Sequence, residues 1–403
     1  MGMNRRKTAA FFAALALVFV FTGVRMITVH TKAYAEGGAS GGEVVLELHS
    51  RRVLHAMEAD QVMPMASTTK ILTAIIIIED CPLEDLVTVP KSCTGTEGSS
   101  IYLVAGEKIT VKNLLYGLML RSGNDCAETL AVYHSGSIEK FAACMNARAV
   151  GMGAVASHFA NPHGLPDDEH YTTARDLAMI ACHAMENEVF REIVSCQSVV
   201  IPDGGCGYAR TLVNKNKMLY QYEGANGIKT GYTKAAGRCL VSAAERNGMQ
   251  LICVVLDCPM MYERSGELLD AVFAAFAYQC IYKAEEHRYT VATDVPGKSC
   301  TGACMRDFYF PLTKEEMAEV RLEKCFVEPH LPVKEGEELG ILRIYLKNQL
   351  LFSQKIYSIN SVKKSWADIL AEIARKYCRI EGTCVSINIS PNAASEAGAP
   401  ATG

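Results

Sequence analysis

The sequence has no basic tract, and its acidic side chains outnumber its basic ones. The full chain carries a net charge of −4 at neutral pH. The imbalance is uneven, because residues 1–35 hold five basic and no acidic side chains, while the rest holds 35 basic against 44 acidic ones, a net charge of −9. An acidic surface repels a phosphate backbone. We therefore expect no nucleic-acid partner.

Paired cysteine spacing is also missing, although the chain has 16 cysteines. Those that lie inside apolar runs are Cys126, Cys182, Cys239, Cys253 and Cys280. Cysteine in such a setting behaves as a small buried hydrophobe. We expect free thiols rather than a disulfide framework, with Cys300 and Cys304 as one local pair that stays open.

No zinc motif is present among the histidines between residues 158 and 170. The spacing of His158, His163 and His170 fits no zinc pattern, and no cysteine or carboxylate completes a set with them. We interpret them as loop residues that make hydrogen bonds, and we expect neither a metal nor another cofactor.

The N-terminal residues have the pattern of an export signal. Arg5-Arg6-Lys7 is basic, Thr8 to Val24 is mostly apolar, and Ala33-Tyr34-Ala35 offers a cleavage site. We predict a signal peptide over residues 1–35 and export of the remainder. An uncleaved anchor helix stays the alternative, although the apolar stretch is short for a membrane span.

The most informative stretch is Ala66-Ser67-Thr68-Thr69-Lys70, which precedes an apolar run from Ile71 to Ile78. A helix that is apolar on every side lies within a domain core. Ser67 and Lys70 are three residues apart, so they share one helix face. At a helix start, unpaired N–H groups and the dipole favour a developing anion. The pattern predicts a serine nucleophile beside an amine base, although it also fits a capping serine with a solvated lysine.

Hydrophobic periodicity predicts an α+β fold, in which strands from both ends of a domain form an antiparallel sheet around a helical insertion. The predicted elements are a hairpin of residues 44–48 and 52–56, a helix from Thr110 to Ser122, a helix from Thr173, a strand over 227–232, a hairpin of 238–244 and 249–257 about Asn247-Gly248, and a closing helix over 268–282. From residue 284 to 360, short alternating segments predict a small all-β domain. An amphipathic helix over 361–382 and a disordered tail over 383–403 follow.

Five stretches, in order, resemble the serine-type D-Ala-D-Ala carboxypeptidases, the low-molecular-mass penicillin-binding proteins. They are Met65-Ala66-Ser67-Thr68-Thr69-Lys70, Arg121-Ser122-Gly123-Asn124-Asp125, Asn161-Pro162-His163-Gly164-Leu165, His170-Tyr171-Thr172-Thr173-Ala174 and Gly227-Ile228-Lys229-Thr230-Gly231-Tyr232-Thr233. The resemblance covers nearly the whole chain. It implies that residues 36–283 form a penicillin-binding domain with the β-lactamase/transpeptidase-like fold.

The resemblance also implies which residues are catalytic. Ser67 attacks the carbonyl of the penultimate D-Ala and forms an acyl-enzyme. Lys70 takes the proton of Ser67, and Lys229 across the cleft lowers the pKa of Lys70. Ser122 relays a proton to the leaving amine, while Asn124 orients Lys70 and the substrate amide.

Substrate binding is implied for Thr230, Gly231, Tyr232 and Arg264. The backbone N–H groups of Ser67 and Tyr232 form an oxyanion hole. Thr230 and Arg264 hold the terminal carboxylate of the substrate. For Arg264, an ordinary surface arginine at a helix start is the alternative.

The expected function is removal of the terminal D-Ala from peptidoglycan pentapeptide stems, with β-lactam antibiotics as covalent inhibitors. A class A β-lactamase is the alternative enzyme, but its Glu-x-x-Leu-Asn pattern is replaced by Asn161-Pro162-His163-Gly164-Leu165. A non-catalytic β-lactam sensor or wall-binding scaffold predicts loss of Ser67, Lys70 or Lys229, and all three are present. Transpeptidation stays open because it uses the same acyl-enzyme.

The segment from Ser361 to Ile380 has an apolar stripe on a basic background. The stripe consists of Trp366, Ile369, Leu370, Ile373 and Tyr377, and five basic against two acidic residues give the segment a local charge of +3. This pattern predicts a helix that lies peripherally on the outer face of the cytoplasmic membrane. Packing of the helix on the β-rich domain is the alternative.

Overall fold

The computed structural model describes residues 40–380, so the predicted signal peptide and the predicted tail lie outside the described residues. The described chain divides into two compact units. The first unit runs to Gln279 and includes Phe310–Lys314, and the second comprises Cys280–Tyr309 and the residues from Glu315 onward. The sequence analysis placed one boundary after residue 283 and did not foresee the return of Phe310–Lys314 to the first unit.

The first unit begins with a hairpin and the segment that carries Ser67. Its elements, in order, are β1 (Gly42–Glu47), β2 (Val53–Met57), a 3₁₀ turn (Ala66–Thr69), α1 (Lys70–Asp80), β3 (Leu86–Thr88), β4 (Lys108–Thr110), α2 (Val111–Leu120), α3 (Asn124–Ser135), α4 (Ile138–Gly151), α5 (Ala174–Glu186), α6 (Glu188–Ser195), β5 (Ser198–Ile201), β6 (Arg210–Val213), α7 (Met218–Gln221), β7 (Ala225–Thr233), β8 (Gly237–Arg246), β9 (Met249–Leu256) and α8 (Met261–Ala275).

A five-stranded antiparallel sheet organises this unit, in the order β2-β1-β9-β8-β7. Strands from both ends of the unit therefore meet in one sheet, and the helices α1 to α6 are inserted between them, as predicted. The β8–β9 turn is the predicted two-residue turn, since Asn247 and Gly248 have φ values of 52° and 77°.

Two apolar clusters cover the two faces of the sheet. Alternate residues of β8 and β9, such as Val241 and Val254, pack with the apolar helix α1 and its helical neighbours. The intervening residues, such as Leu240 and Val255, pack against α8. The sheet thus lies between helical layers, and β7 forms one edge of it.

The prediction of a closing helix over residues 268–282 was wrong in both bounds. The helix α8 begins at Met261 and ends at Ala275, and residues Ala277–Tyr282 form the strand β10. Leu268 and Val272 lie one turn apart and are buried against the sheet, which fixes the helix. Beyond Ala275 this spacing ends, and the aromatic and β-branched residues of 276–282 favour an extended chain.

The second unit is a small β domain, as predicted. The elements that follow β10, of which β13 and α9 lie partly in the first unit, are β11 (Tyr289–Ala292), β12 (Ser299–Ala303), β13 (Phe308–Leu312), α9 (Lys314–Met317), β14 (Val320–Phe326), β15 (Glu338–Leu346), β16 (Gln349–Ser358) and α10 (Trp366–Ile380). Its five-stranded sheet has the order β11-β12-β16-β15-β14. Helix α10 begins five residues later than predicted. None of the helices in the described range is long and apolar enough to cross a membrane.

The cysteines between residues 40 and 380 whose side chains are described are free thiols. Cys300 and Cys304 are both buried and unpaired with each other. The expectation of free thiols is thus confirmed for this part of the chain.

Candidate active site

Ser67 lies in the 3₁₀ turn that leads directly into α1. The preceding residue, Ala66, is buried and has φ = 49°, a left-handed conformation that a non-glycine residue rarely adopts. Two threonine hydroxyls tie the turn together, since Thr68 Oγ1 donates to the carbonyl of Met65 at 2.6 Å and Thr69 Oγ1 donates to that of Ala66 at 2.9 Å. The direction of the Ser67 side chain is therefore set by a strained but well-tied backbone.

Lys70 is fully buried, and its amine lies at the centre of the cluster. The Nζ atom lies 3.0 Å from Ser67 Oγ, and it donates to Asn124 Oδ1 at 2.7 Å and to the carbonyl of His163 at 2.6 Å. Burial, followed by the nearby charge of Lys229, holds the pKa of Lys70 well below its ordinary value. A neutral amine at this position can accept the proton of Ser67.

Ser122 and Asn124 lie at the junction of α2 and α3. Glycine is the usual left-handed residue at a helix end. Here Ser122 takes that conformation, with φ = 65°, while Gly123 is extended and precedes α3. A side chain on Gly123 would place its Cβ 2.8 Å from Asp125 Oδ1, so glycine is required for packing rather than for its dihedral angles. The hydroxyl of Ser122 makes no hydrogen bond to Ser67, Lys70 or Lys229 within residues 40–380.

Asn124 is fixed by the loop that precedes β4. Its backbone N–H donates to the carbonyl of Ser99 at 2.7 Å, and its side-chain Nδ2 donates to that of Glu97 at 2.6 Å. The buried carboxylate of Asp125 accepts hydrogen bonds from Ser100 Oγ and from the Leu103 N–H. The loop is thus held against the start of α3, which leaves Asn124 Oδ1 aimed at Lys70.

The edge strand β7 runs beside the Ser67 turn. A Cβ atom on Gly231 would lie 3.1 Å from both the Ser67 nitrogen and the Met65 carbonyl oxygen, so the absence of a side chain permits this close approach. The Thr230 side chain is half-buried, and Tyr232 is exposed. The strand therefore forms one wall of the site, directly beside Ser67.

Lys229 is buried in this wall. Its Nζ donates to the carbonyl of Thr230 at 2.8 Å, and burial, followed by the charge of Lys215, lowers the pKa of Lys229 to about 7. Three lysines, Lys70, Lys215 and Lys229, thus act on one another through their charges. Such a site attracts an anionic group such as a carboxylate.

Arg264, for which the resemblance implies a contact with the substrate carboxylate, is paired with carboxylates of its own chain. Arg264 Nε and Nη2 donate to the two carboxylate oxygens of Glu43 at 2.8 and 2.9 Å, and Nη1 lies 3.3 Å from Glu267. Glu43 is on β1, three strands from Thr230 on β7, or about 14 Å at ~4.8 Å per strand. The alternative of a surface arginine is wrong, since Arg264 is only 6% exposed.

The loop 161–165 contributes more to the site than its sequence suggested. Its His163 carbonyl binds Lys70, and Thr73 Oγ1 on α1 donates to the carbonyl of Pro162 at 2.7 Å. Gly164 has φ = 88°, and a Cβ there would lie 1.9 Å from the carbonyl oxygen of Ala66. The loop is therefore packed directly on the Ser67 turn.

The nearby histidines make hydrogen bonds, as interpreted. His170 Nδ1 accepts from the Ala160 N–H at 3.0 Å, so its Nε2–H donates to Thr69 Oγ1 at 2.7 Å. Burial lowers the pKa of His170 to about 4, so the ring is neutral at pH 7. His163 Nδ1 accepts from the Leu165 N–H. These rings hold the loops that surround α1.

Two residues near the site were missed by sequence reasoning. Lys215 Nζ donates to Ser99 Oγ at 3.2 Å, in the loop that holds Asn124. Glu128 lies one turn after Asn124 on α3 and pairs with His163 Nε2 at 3.4 Å. Neither residue belongs to a motif, so the sequence carried no signal for either of them.

Comparison with known proteins agrees with this geometry. A family model described as D-alanyl-D-alanine carboxypeptidase matches residues 29–260. The chain is 28% identical to the D-alanyl-D-alanine carboxypeptidase DacF of Bacillus subtilis, over 85% of this chain and 93% of that protein. It is 35% identical to a D-alanyl-D-alanine carboxypeptidase of Mycobacterium tuberculosis, over 57% of this chain and 81% of that protein.

A similar fold is found in the crystal structure of penicillin binding protein 5 from Haemophilus influenzae. The TM-score is 0.68 at 25% identity, over 82% of this chain and 100% of that one. The match extends beyond the first unit, and the family model alone spans more than half of the sequence. The chain therefore belongs to the D-alanyl-D-alanine carboxypeptidase family, and it is a serine peptidase with the transpeptidase-like fold of the penicillin-binding proteins.

Proposed function

We propose that Ser67 is the nucleophile with which this carboxypeptidase removes the terminal D-Ala from peptidoglycan pentapeptide stems. The observation that supports this role is the buried amine of Lys70, 3.0 Å from Ser67 Oγ. A serine hydroxyl is a weak nucleophile until a neighbouring base takes its proton. Lys70 is that base, because burial and Lys229 favour its neutral form.

Acylation then follows from the positions of the surrounding groups. Ser67 Oγ attacks the carbonyl carbon of the penultimate D-Ala, and its proton moves to Lys70 Nζ. The N–H groups of Ser67 and Tyr232 stabilise the oxyanion of the tetrahedral intermediate. The peptide C–N bond breaks as the proton that Lys70 took from Ser67 passes to the leaving nitrogen, with Ser122 as the relay that the family resemblance implies, and D-Ala is released.

The substrate carboxylate is bound by the positively charged side of the site. Lys229 and Lys215 supply positive charge, and Thr230 supplies a hydroxyl on the edge strand β7. Arg264 does not contact the substrate carboxylate in this scheme, because its guanidinium is bound to Glu43 on β1. The specificity for a free C-terminal carboxylate therefore rests on the lysines and Thr230.

Deacylation uses water, with Lys70 as base a second time. The loop 161–165 presents the carbonyl of His163 to Lys70 and has no carboxylate side chain of its own. A penicilloyl group that lacks a dedicated base stays bound for a long time, since class A β-lactamases use a glutamate at this step. The protein is thus a target of β-lactam antibiotics rather than an enzyme of resistance.

The test is an assay of the purified protein with diacetyl-lysyl-D-Ala-D-Ala and with labelled penicillin. We expect release of free D-Ala and one acyl group per chain on the peptide that contains Ser67. Ser67→Ala should abolish both signals, while the exposed control Ser195→Ala should keep them. Penicillin labelling that persists in Ser67→Ala would rule out the assignment.

We further propose that the protein is exported and held peripherally at the outer face of the cytoplasmic membrane. Export is supported by the N-terminal pattern of basic, apolar and small residues. Attachment is supported by α10, whose apolar stripe is open to solvent: Trp366 is 82% exposed and Leu370 is 64% exposed. A stripe that packed on the β-rich domain would be buried, and a basic excess around it favours anionic lipid.

A further inference from the structure

Three helices bring metal-binding side chains together at the end of the helical layer that is remote from Ser67. Asp80 is the last residue of α1, His134 is the penultimate residue of α3, and Cys144 lies within α4. One ligand atom from each side chain lies within 4.8 Å of the other two. These residues take no part in the carboxypeptidase site.

We propose that Asp80, His134 and Cys144 bind a divalent cation of the zinc type. Zinc prefers thiolate sulfur, imidazole nitrogen and carboxylate oxygen, and three protein ligands with one water complete its tetrahedron. At Zn–ligand distances of 2.0–2.3 Å, the ligand atoms of a tetrahedron lie roughly 3.3–3.7 Å apart. His134 Nε2 and Asp80 Oδ2 are already 3.1 Å apart, and the Cys144 sulfur lies within 4.8 Å of both side chains' ligand atoms.

The outer contacts of the cluster orient its ligand atoms. His134 Nδ1 is bonded to Ser135 Oγ at 2.7 Å, which leaves Nε2 as the nitrogen that faces Asp80. Asp80 Oδ1 accepts from Arg148 Nη2 at 3.2 Å, which leaves Oδ2 as the oxygen that faces His134. Metal-binding histidines and carboxylates commonly have such outer partners.

The charges near the cluster also suit a cation. Arg148 is the nearby positive group, and it is paired with Glu79 as well as with Asp80. Bound zinc meets one carboxylate and one thiolate, so its two positive charges are balanced by two negative ones. An ion-pair network without metal accounts for Asp80, His134 and Arg148, and Cys144 packs against the main apolar cluster. The proposal therefore rests on the closeness of the three ligand atoms and on their chemistry.

The position of the cluster gives the cation a structural role. The helix α1 begins at Lys70 and ends at Asp80, about 15 Å away at 1.5 Å per residue. The helix α3 begins at Asn124 and ends beside His134. A cation would therefore join the far ends of the two helices whose first residues are hydrogen-bonded to each other in the active site.

The test is metal retention by the purified full-length protein. The protein is equilibrated with Zn²⁺, freed of excess metal by gel filtration, and analysed for zinc per chain. We expect about one equivalent of zinc in the parent that is lost in Cys144→Ser and in His134→Ala. The control Cys81→Ser removes a neighbouring thiol outside the cluster and should keep the equivalent. Equal zinc content in all four proteins would overturn the proposal.

A second measurement separates the site from other thiols and from misfolding. With Co²⁺ as the probe, we expect the thiolate-to-cobalt charge-transfer band of a tetrahedral site in the parent and in Cys81→Ser, and its absence in Cys144→Ser. Labelling by penicillin at Ser67 should persist in each variant, which shows that each one is folded. A charge-transfer band of full intensity in Cys144→Ser would contradict the assignment.

Discussion

Lys70 and Lys229 are buried amines whose neutral forms are favoured by their surroundings. Desolvation penalises a buried charge, so each amine gives up its proton more readily than it would in water. The proposed roles of the two residues nevertheless require opposite protonation states. Lys70 needs to be neutral to act as a base, and Lys229 needs to be charged to bind a carboxylate. Their separate requirements lead to two predictions.

Lys70→Arg should remove the base while keeping a positive group at the same position. A guanidinium is effectively always protonated, so it cannot accept the proton of Ser67. We expect the rate of penicillin acylation to fall by at least roughly a hundredfold, the scale of general-base contributions. The matched control is the surface change Lys112→Arg, which should leave the rate unaltered. Near-normal acylation of Lys70→Arg would assign the base to another residue.

Lys229→Arg should change the pH dependence of kcat/KM. The pKa of Lys229 lies below the ordinary lysine range, so its charge is present at low pH and is lost as the pH rises through that value. Binding of the substrate carboxylate weakens as that charge is lost, which gives kcat/KM an alkaline limb. A guanidinium keeps its charge, so the limb should move to higher pH in the variant. An unchanged limb would mean that another group causes it.

At this scale, sequence reasoning succeeded where residues are near neighbours in a motif and failed where the partner is remote. Ser67 and Lys70 lie within one helical turn, so their contact follows from spacing alone. The partner of Arg264 is Glu43, 221 positions away, and only the folded sheet brings the two together. The same holds for Asp80, His134 and Cys144, which come from three different helices.

The conformation of the loop 161–165 depends on a single glycine, Gly164. Gly164 and Gly136 both have left-handed dihedral angles, but a side chain at Gly136 would enter open space, whereas one at Gly164 would meet the carbonyl of Ala66. The two glycines therefore separate the cost of backbone strain from the cost of a steric clash.

Gly136→Ala should lower the free energy of unfolding by about 1–2 kcal/mol, the cost of a left-handed residue with a side chain. Gly164→Ala should lower it by about 1–3 kcal/mol more, since overpacking adds to the strain. Only Gly164→Ala should also slow penicillin acylation, because it displaces the turn that carries Ser67. The measurements are denaturant unfolding and acylation rates, and equal effects of the two changes would contradict the packing argument.

The sequence predicted the starts of helices that are fixed by a capping side chain. Thr110 and Thr173 cap their helices through hydrogen bonds to the backbone N–H groups three residues on. The start of α8 could not be predicted from a capping residue, because no side chain caps the helix before Met261. Met261 is instead buried by its packing against the sheet, which is a tertiary contact. The left-handed dihedral angle of Ser122 was also hidden, since the adjacent Gly123 looked like the natural site for it.

For the whole molecule, the described chain combines a catalytic unit with a β-rich unit that ends in an exposed amphipathic helix. The start of this helix is tied to its own unit, since Lys298 pairs with Asp368 and also donates to the carbonyl of Lys363. The apolar stripe farther along the helix, including Leu370 and Ile373, faces solvent. A helix held in this way can bind a membrane without rearrangement of the β domain.

Leu370→Glu should weaken binding of the protein to anionic vesicles. Insertion of a leucine side chain among lipid contributes about 2 kcal/mol, so its loss should reduce affinity by at least about tenfold. Ala371→Glu makes the same change of charge on the polar side of α10 and should have a much smaller effect. The measurement is co-sedimentation with the vesicles at low and high salt. Hydrolysis of diacetyl-lysyl-D-Ala-D-Ala by each variant is the check of folding. Equal binding by the two variants would show that α10 does not lie on the membrane.

The stripe on α10 contains Trp366, the single tryptophan of all 403 residues. Its ring is 82% exposed and lies outside the catalytic unit. Indole emission from the intact protein therefore originates at this helix alone, and the catalytic unit contributes only tyrosine. Trp366 is therefore a natural fluorescent probe on the helix that is proposed to bind the membrane. Its emission reports the polarity around α10 without a dye, a tag or any substitution.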